Sequence, residues 1–198
     1  MSAVKKLQSI SVEDYLAGEL VSSIKHEYVG GYVYAMAGAR NSHNLIATNL
    51  TVAIGSRLLG KRCMTFNSDT KIHIPAPPRE RFYYPDASIV CQPNSSEDSY
   101  QDRPAVIFEV LSDSTRRTDL GEKKDAYFQL RSLRIYALVE QDSAHVIVYR
   151  WHGEVFARED YEGLNAEIPL PEVEVTLPLA DIYARVDFTA ESSQHEES

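Results

Sequence analysis

The chain has 198 residues, with 20 Lys plus Arg against 29 Asp plus Glu and a formal charge of −9. That length suits a single hydrophobic core, and 43% hydrophobic with 25% charged residues excludes a disordered or fibrous class. No apolar run approaches the ~20 residues of a membrane-spanning helix, and Met1–Lys6 leads into no signal-like apolar stretch, so no membrane partner is expected. Two cysteines, Cys63 and Cys91, are too few for a disulfide scaffold and read as reduced, small core residues of a cytoplasmic protein. The charge is unevenly placed. Glu154–Ser198 holds 12 acidic residues against 2 basic ones, which leaves Met1–Gly153 with 17 against 18, a net of +1. Repulsion of nucleic-acid phosphates therefore applies to the last quarter alone.

In chain order, Ser11 and Asp14 form a capping pair for a short helix that ends near Gly18. His26–Val29 and Tyr32–Tyr34, joined by Gly30-Gly31, read as a hairpin with a tight turn. Asn41 or Ser42 can cap a helix with apolar positions Leu45, Ile46, Leu50, Ile54 and Leu58, ended by Gly60. Strands follow at Cys63–Phe66, Thr70–Ile74 and Ala87–Cys91, with Pro75, Pro77, Pro78 and Pro93 in the loops. Ala105–Leu111 is a continuous apolar run, the pattern of a central strand covered on both faces. A helix is predicted from Asp119 to about Arg131, then strands at Ile135–Val139, His145–Arg150 and Val155–Arg158. The sum is a mixed α/β (α+β) domain over residues 1–188 and an acidic, disordered tail over 189–198.

One residue breaks the pattern. Glu109 lies inside the apolar run, and a buried carboxylate costs several kcal/mol unless paired, hydrogen-bonded or bound to metal. Asp86, after Tyr84-Pro85 at the start of the preceding strand, can reach it across adjacent strands. Two carboxylates sharing a site suit a divalent cation with oxygen ligands, Mg²⁺ or Mn²⁺. The helix stripe Leu120, Lys123, Tyr127, Leu130 puts Lys123 on the sheet-facing side, with Lys124 one step off it. His43, in the first turn of its helix, is a capping, packing or substrate-binding residue. His73, His145 and His152 show no metal-ligand spacing, and the twelve tyrosines fall mostly on core positions.

An Asp after Pro, a strand carrying Glu and a nearby Lys resemble the PD-(D/E)XK nuclease superfamily. More specifically the chain resembles the Uma-type family of bacterial restriction-endonuclease-like proteins over about Val12–Val186. The pieces are Lys25-His26-Glu27-Tyr28 with Gly30-Gly31, Met36-Ala37-Gly38 with Ser42-His43-Asn44, Tyr84-Pro85-Asp86, Pro104 through Glu109-Val110-Leu111-Ser112 with Ser114-Thr115, Asp119-x-x-x-Lys123-x-x-x-Tyr127, and Tyr136-x-Leu-Val. The superfamily's strand lysine, two residues after Glu109, is Leu111 here, so the lysine role passes to the helix. The resemblance implies a restriction-endonuclease-like mixed sheet flanked by helices, acting as a Mg²⁺-dependent (or Mn²⁺-dependent) DNA endonuclease, with a catalytically inactive nucleic-acid-binding or regulatory module on the same fold as the alternative. It implies Asp86, Glu109 and the Val110 carbonyl as metal ligands, Lys123 as the catalytic lysine, Glu27 as a further acid, and a homodimer. The Ser112–Arg117 loop, with Ser112, Thr115 and Arg116, offers hydroxyls and guanidinium groups to phosphates. Removing residues 189–198 is accordingly expected to strengthen DNA binding in a fluorescence-anisotropy titration, most at low salt. Unchanged affinity would make the tail a bystander.

Overall fold

The computed structural model describes residues 9–188; the expected tail lies outside the described residues. Helix α1 (Val12–Glu19) starts where Ser11 Oγ accepts from the Asp14 amide at 3.0 Å, as the capping pair predicts. Strands β1 (His26–Val29) and β2 (Tyr32–Ala35) pair antiparallel with Val29 opposite Tyr32. Gly30 and Gly31 turn the chain at φ of 54° and 98°, a conformation that glycine adopts without a Cβ clash. Helix α2 (Asn41–Leu58) follows. Its N-cap position is Arg40, with no side-chain cap hydrogen bond, and Asn41 and Ser42 lie inside the helix.

Two sheets organise the middle of the chain. The first has five strands in the order β2-β1-β5-β4-β7, adding β4 (Lys71–Ile74), β5 (Arg81–Tyr83) and β7 (Tyr100–Gln101). The second has six, in the order β11-β10-β9-β8-β6-β3, formed by β3 (Met64–Asn67), β6 (Ala87–Val90), β8 (Pro104–Val110), β9 (Ile135–Val139), β10 (His145–Trp151) and β11 (Phe156–Glu162). Within it β8 and β9 run parallel and the other pairs antiparallel. A small hairpin of β12 (Glu167–Leu170) and β13 (Val175–Pro178) and helix α5 (Leu179–Ile182) complete the chain. The result is a mixed α+β fold, as expected, with β5, β7, β12, β13 and α5 beyond the predicted elements.

The predicted Asp119–Arg131 helix differs most in its details. It begins earlier, with α3 (Arg116–Thr118), passes through a π-helical turn (Asp119–Lys123) and ends with α4 (Lys124–Tyr127). The cysteines also differ from expectation. Cys63 and Cys91 form a disulfide, with Cα atoms 3.9 Å apart. The register that pairs Met64 with Val90 sets them directly opposite each other at the ends of β3 and β6. The reading of two reduced thiols is therefore replaced, and with it the thiol-based argument for a reducing compartment. Among the described residues no helix is long and apolar enough to cross a membrane.

Strand β8 separates two cores. Val106, Phe108 and Val110 face α2, where Ile46, Leu50 and Ile54 are fully buried, and the Ile168–Ile182 segment. Ile107 and Leu111 face the other way, against Tyr127, Leu130, Tyr83 and Ile72. Leu50→Ala would open a cavity in the first core and is expected to cost ~2–5 kcal/mol, read from the midpoint of urea unfolding.

Candidate active site

Alternation along β8 places Glu109 on the same face as Ile107 and Leu111. It is 3% exposed there, and Oε1 accepts from the Tyr127 hydroxyl at 3.1 Å. The antiparallel register Ala87–Phe108, carried one residue further, sets Asp86 across from Glu109. Asp86 is held at both oxygens. Oδ2 accepts from the Val110 amide at 2.7 Å, and Oδ1 meets His43 Nε2 at 2.9 Å. Burial works against a charged His43 imidazole, but the hydrogen bond and charge of Asp86 outweigh it and raise its pKa.

The π-helical turn brings Asp119 and Lys123 to one side as an i, i+4 pair, Nζ to Oδ1 3.6 Å. The ammonium also lies 2.8 Å from Glu27 Oε1 and 3.5 Å from Glu109 Oε1, with the Tyr83 ring 5.4 Å away. Glu27 reaches this point from β1, so the cluster joins both sheets and the helical segment. Burial disfavours the charged Lys123, yet Glu109, Glu27 and Asp119 outweigh it and push its pKa up. Glu109 is driven well above the usual carboxylate range, first by burial and then, against Lys123, by the charges of Asp119, Asp86 and Glu27. Asp119 is raised too, mainly by burial. Asp119 Oδ1 and His43 Nδ1 are buried without a hydrogen-bond partner among the described residues.

These groups line one cleft of about 700 Å³. Asp86, Glu109, Lys123, Glu27 and His43 all border it, together with Val110, Ser112 and Thr115. The Ser112 and Thr115 hydroxyls lie 3.0 Å apart, with Ser114 Oγ 3.1 Å from Ser112 Oγ. Arg116 is not brought to the cleft: its guanidinium forms a two-pronged pair with Glu140, Nη1 to Oε1 at 2.9 Å. Lys124 points elsewhere, its ammonium 5.5 Å from the Tyr149 ring. Asp119 and Tyr127 are the groups that the candidate set omitted. Asp119 opens the predicted helix in the sequence, and its signals were the i, i+4 spacing from Lys123 and its place in the Asp119-x-x-x-Lys123-x-x-x-Tyr127 pattern. Among the described residues no three His, Cys, Asp or Glu side chains cluster tightly enough to enclose a metal ion by themselves.

Residues 12–180 match the Uma2 family, described as "Putative restriction endonuclease". An uncharacterized protein of Synechocystis sp., slr1290, is 34% identical over 141 residues, covering 71% of this chain and 73% of that protein. A second from the same organism, sll1609, is 27% identical over 172 residues, 85% of this chain and 96% of that one. The crystal structure of a "putative nuclease belonging to DUF820" from Anabaena variabilis superposes with a TM-score of 0.68, covering 88% of this chain and 98% of that chain at 19% identity. That likeness establishes a shared fold.

The raised carboxyl of Glu109 has a consequence for stability. A carboxyl with a higher pKa folded than unfolded keeps its proton better in the folded chain. Its stabilising effect is full below the ordinary value of 4.5 and is lost as pH rises through the raised folded value. Glu109→Gln removes that titration. The stability of the wild type relative to this variant, from urea midpoints, should therefore decline from pH 4.5 towards neutrality. A difference that stays flat over that range would show that Glu109 titrates as an ordinary carboxylate.

Proposed function

The chain belongs to the Uma2 family, and from that membership we propose that it hydrolyses DNA phosphodiester bonds with Mg²⁺ or Mn²⁺ at this cleft. The observation that carries the reading is the convergence of Glu109, Glu27 and Asp119 on a single buried lysine, with Asp86 lining the same cleft. Fully ionised, those four carboxylates outnumber the charge that Lys123 and His43 can supply. A divalent cation would offset the excess, and an all-oxygen donor set suits a hard ion. Asp86, Glu109 and the Val110 carbonyl are the groups to hold it. With two carboxylates and no enclosing third, the remaining positions are left to water and phosphate oxygens, the usual pattern for Mg²⁺. Bound there, such a cation supplies Lewis acidity towards a phosphoryl oxygen and a lowered water pKa.

The chain's own groups have separable tasks. His43 and the Val110 amide fix the Asp86 carboxylate from two sides. Tyr127 orients Glu109. Lys123, kept cationic by its carboxylates, is placed to stabilise negative charge as it develops on the phosphoryl group. Ser112 and Thr115 offer hydroxyl donors to flanking phosphates. A second reading, a binding module without hydrolysis, draws on Leu111, which is buried at the position where the superfamily carries a strand lysine.

Plasmid cleavage in Mg²⁺ separates the two readings. The wild type should nick DNA, and Asp86→Ala, Glu109→Ala and Lys123→Ala should each lose at least ~100-fold in rate. Equal nicking by wild type and variants, or none by either, would leave the nuclease reading without support.

A further inference from the structure

Strand β2 is the outer strand of the five-stranded sheet, and it carries two large exposed rings, Tyr32 at 45% and Tyr34 at 55%. The register sets Tyr34 opposite Glu27 and Tyr32 opposite Val29. Directly paired residues share a face of the sheet. Both rings therefore stand on the face from which Glu27 reaches Lys123 and on which Val29 packs against the second core. Tyr34 itself borders the cleft that holds Asp86 and Glu109.

The buried tyrosines behave differently. Tyr28, Tyr83, Tyr127 and Tyr136 pack ring against ring inside the fold. Among the described residues Tyr32 and Tyr34 have no ring, cation–π or hydroxyl hydrogen-bond partner, and both stay exposed. Two exposed aromatics on an outer strand are a liability unless something covers them. Side chains two residues apart on a strand stand ~6.7 Å from each other, wide enough for each ring to take one of two successive bases of an extended strand. The hydroxyls of Ser112 and Thr115 border the same cleft and can meet the phosphates between the bases; Lys25, also at its border, is held by Asp69 at 2.6 Å and the Ser68 carbonyl at 2.8 Å.

We propose that Tyr34 and Tyr32 form a stacking platform that seats unpaired DNA bases beside the Asp86–Glu109 cleft, so that the preferred substrate presents a single-stranded stretch there. A closed duplex keeps its bases stacked on one another and cannot use such a platform. This inference rests on the nucleic-acid reading of the cleft, and it is tested by binding in EDTA, where cleavage plays no part.

The probes are a fluorescently labelled oligodeoxythymidine of about 12 nucleotides, an abasic oligomer of equal charge, and a hairpin duplex. Anisotropy titrations should show wild type binding the oligodeoxythymidine more tightly than the abasic oligomer. Tyr34→Ala should weaken oligodeoxythymidine binding roughly 5- to 100-fold while duplex affinity moves less than about 2-fold, and Tyr34→Phe should restore it. Tyr32→Ala should act in the same direction. Both positions are exposed, and circular dichroism of each variant checks that it is folded before its affinity is read. The proposal is overturned if wild type does not bind the oligodeoxythymidine, if it binds the abasic oligomer equally well, or if Tyr34→Ala leaves the affinity unchanged. It is also overturned if the alanine variants only convert a dimer to a monomer in sedimentation, since β2 would then be an interface between copies of the chain. A platform that binds as expected in a protein that never nicks DNA would sink the nuclease reading and leave this one standing.

Discussion

The site depends on one buried ammonium. Lys123 lies within 3.6 Å of carboxylates from three elements, Glu27 of β1, Glu109 of β8 and Asp119 of the π-helical turn. None of the three could be buried as an anion alone without a cost of several kcal/mol. One cation shared among three acids leaves the group short of positive charge, and burial, with the neighbouring carboxylates adding to it against Lys123, raises the pKa values of Glu109 and Asp119. The same shortage that makes the cluster awkward as a structural element makes it receptive to further cationic charge.

The fold supplies the geometry through β8. Its alternating residues serve two cores at once, so the face that buries Ile107 and Leu111 must also take Glu109. A slip of one residue would turn Glu109 towards α2 and bring Phe108 to the cleft. Aromatic rings fill the core on that side. Tyr83, Tyr127 and Tyr136 pack in sequence, with centroids 5.6 and 5.4 Å apart, and Tyr136 donates to the Asp119 carbonyl at 2.9 Å. That bond ties the π-helical turn to β9 and keeps Asp119 and Lys123 on one side.

The acidity of the last quarter has a structural use. Arg150, 8% exposed, binds Glu159 at 2.8 Å and Glu172 at 2.9 Å and donates to the Pro169 carbonyl at 2.8 Å. Arg57 of α2 pairs with Asp181, and His145 of β10 meets Asp160 of β11 at 2.9 Å. Several acids that look like surplus negative charge in the sequence thus fasten β11 and the Pro171–Ile182 segment to the rest of the chain. Those pairs lie away from the cleft, whose own residues come from the near-neutral first three-quarters.

Asp86, Glu109 and Lys123 were legible in the sequence because each breaks a simple pattern: a carboxylate in an apolar strand, an acid at a strand start, a lysine within an apolar helical stripe. Those patterns fix the face on which each stands; the register of β6 against β8 and the packing of the π-helical turn bring the three to one cleft. Tertiary structure alone decided the rest. Asp119 joined the cluster because a π-helical turn aligned it with Lys123, and Arg116 left it because Glu140 offered a closer carboxylate. Cys63 and Cys91 became a disulfide because strand register set them opposite each other, and two exposed tyrosines reached the face that bears Glu27 because β2 pairs with β1. Local periodicity fixes which way a side chain points from its own element. Which groups it then meets is set by register and packing between segments far apart in the chain, and a single sequence does not display that.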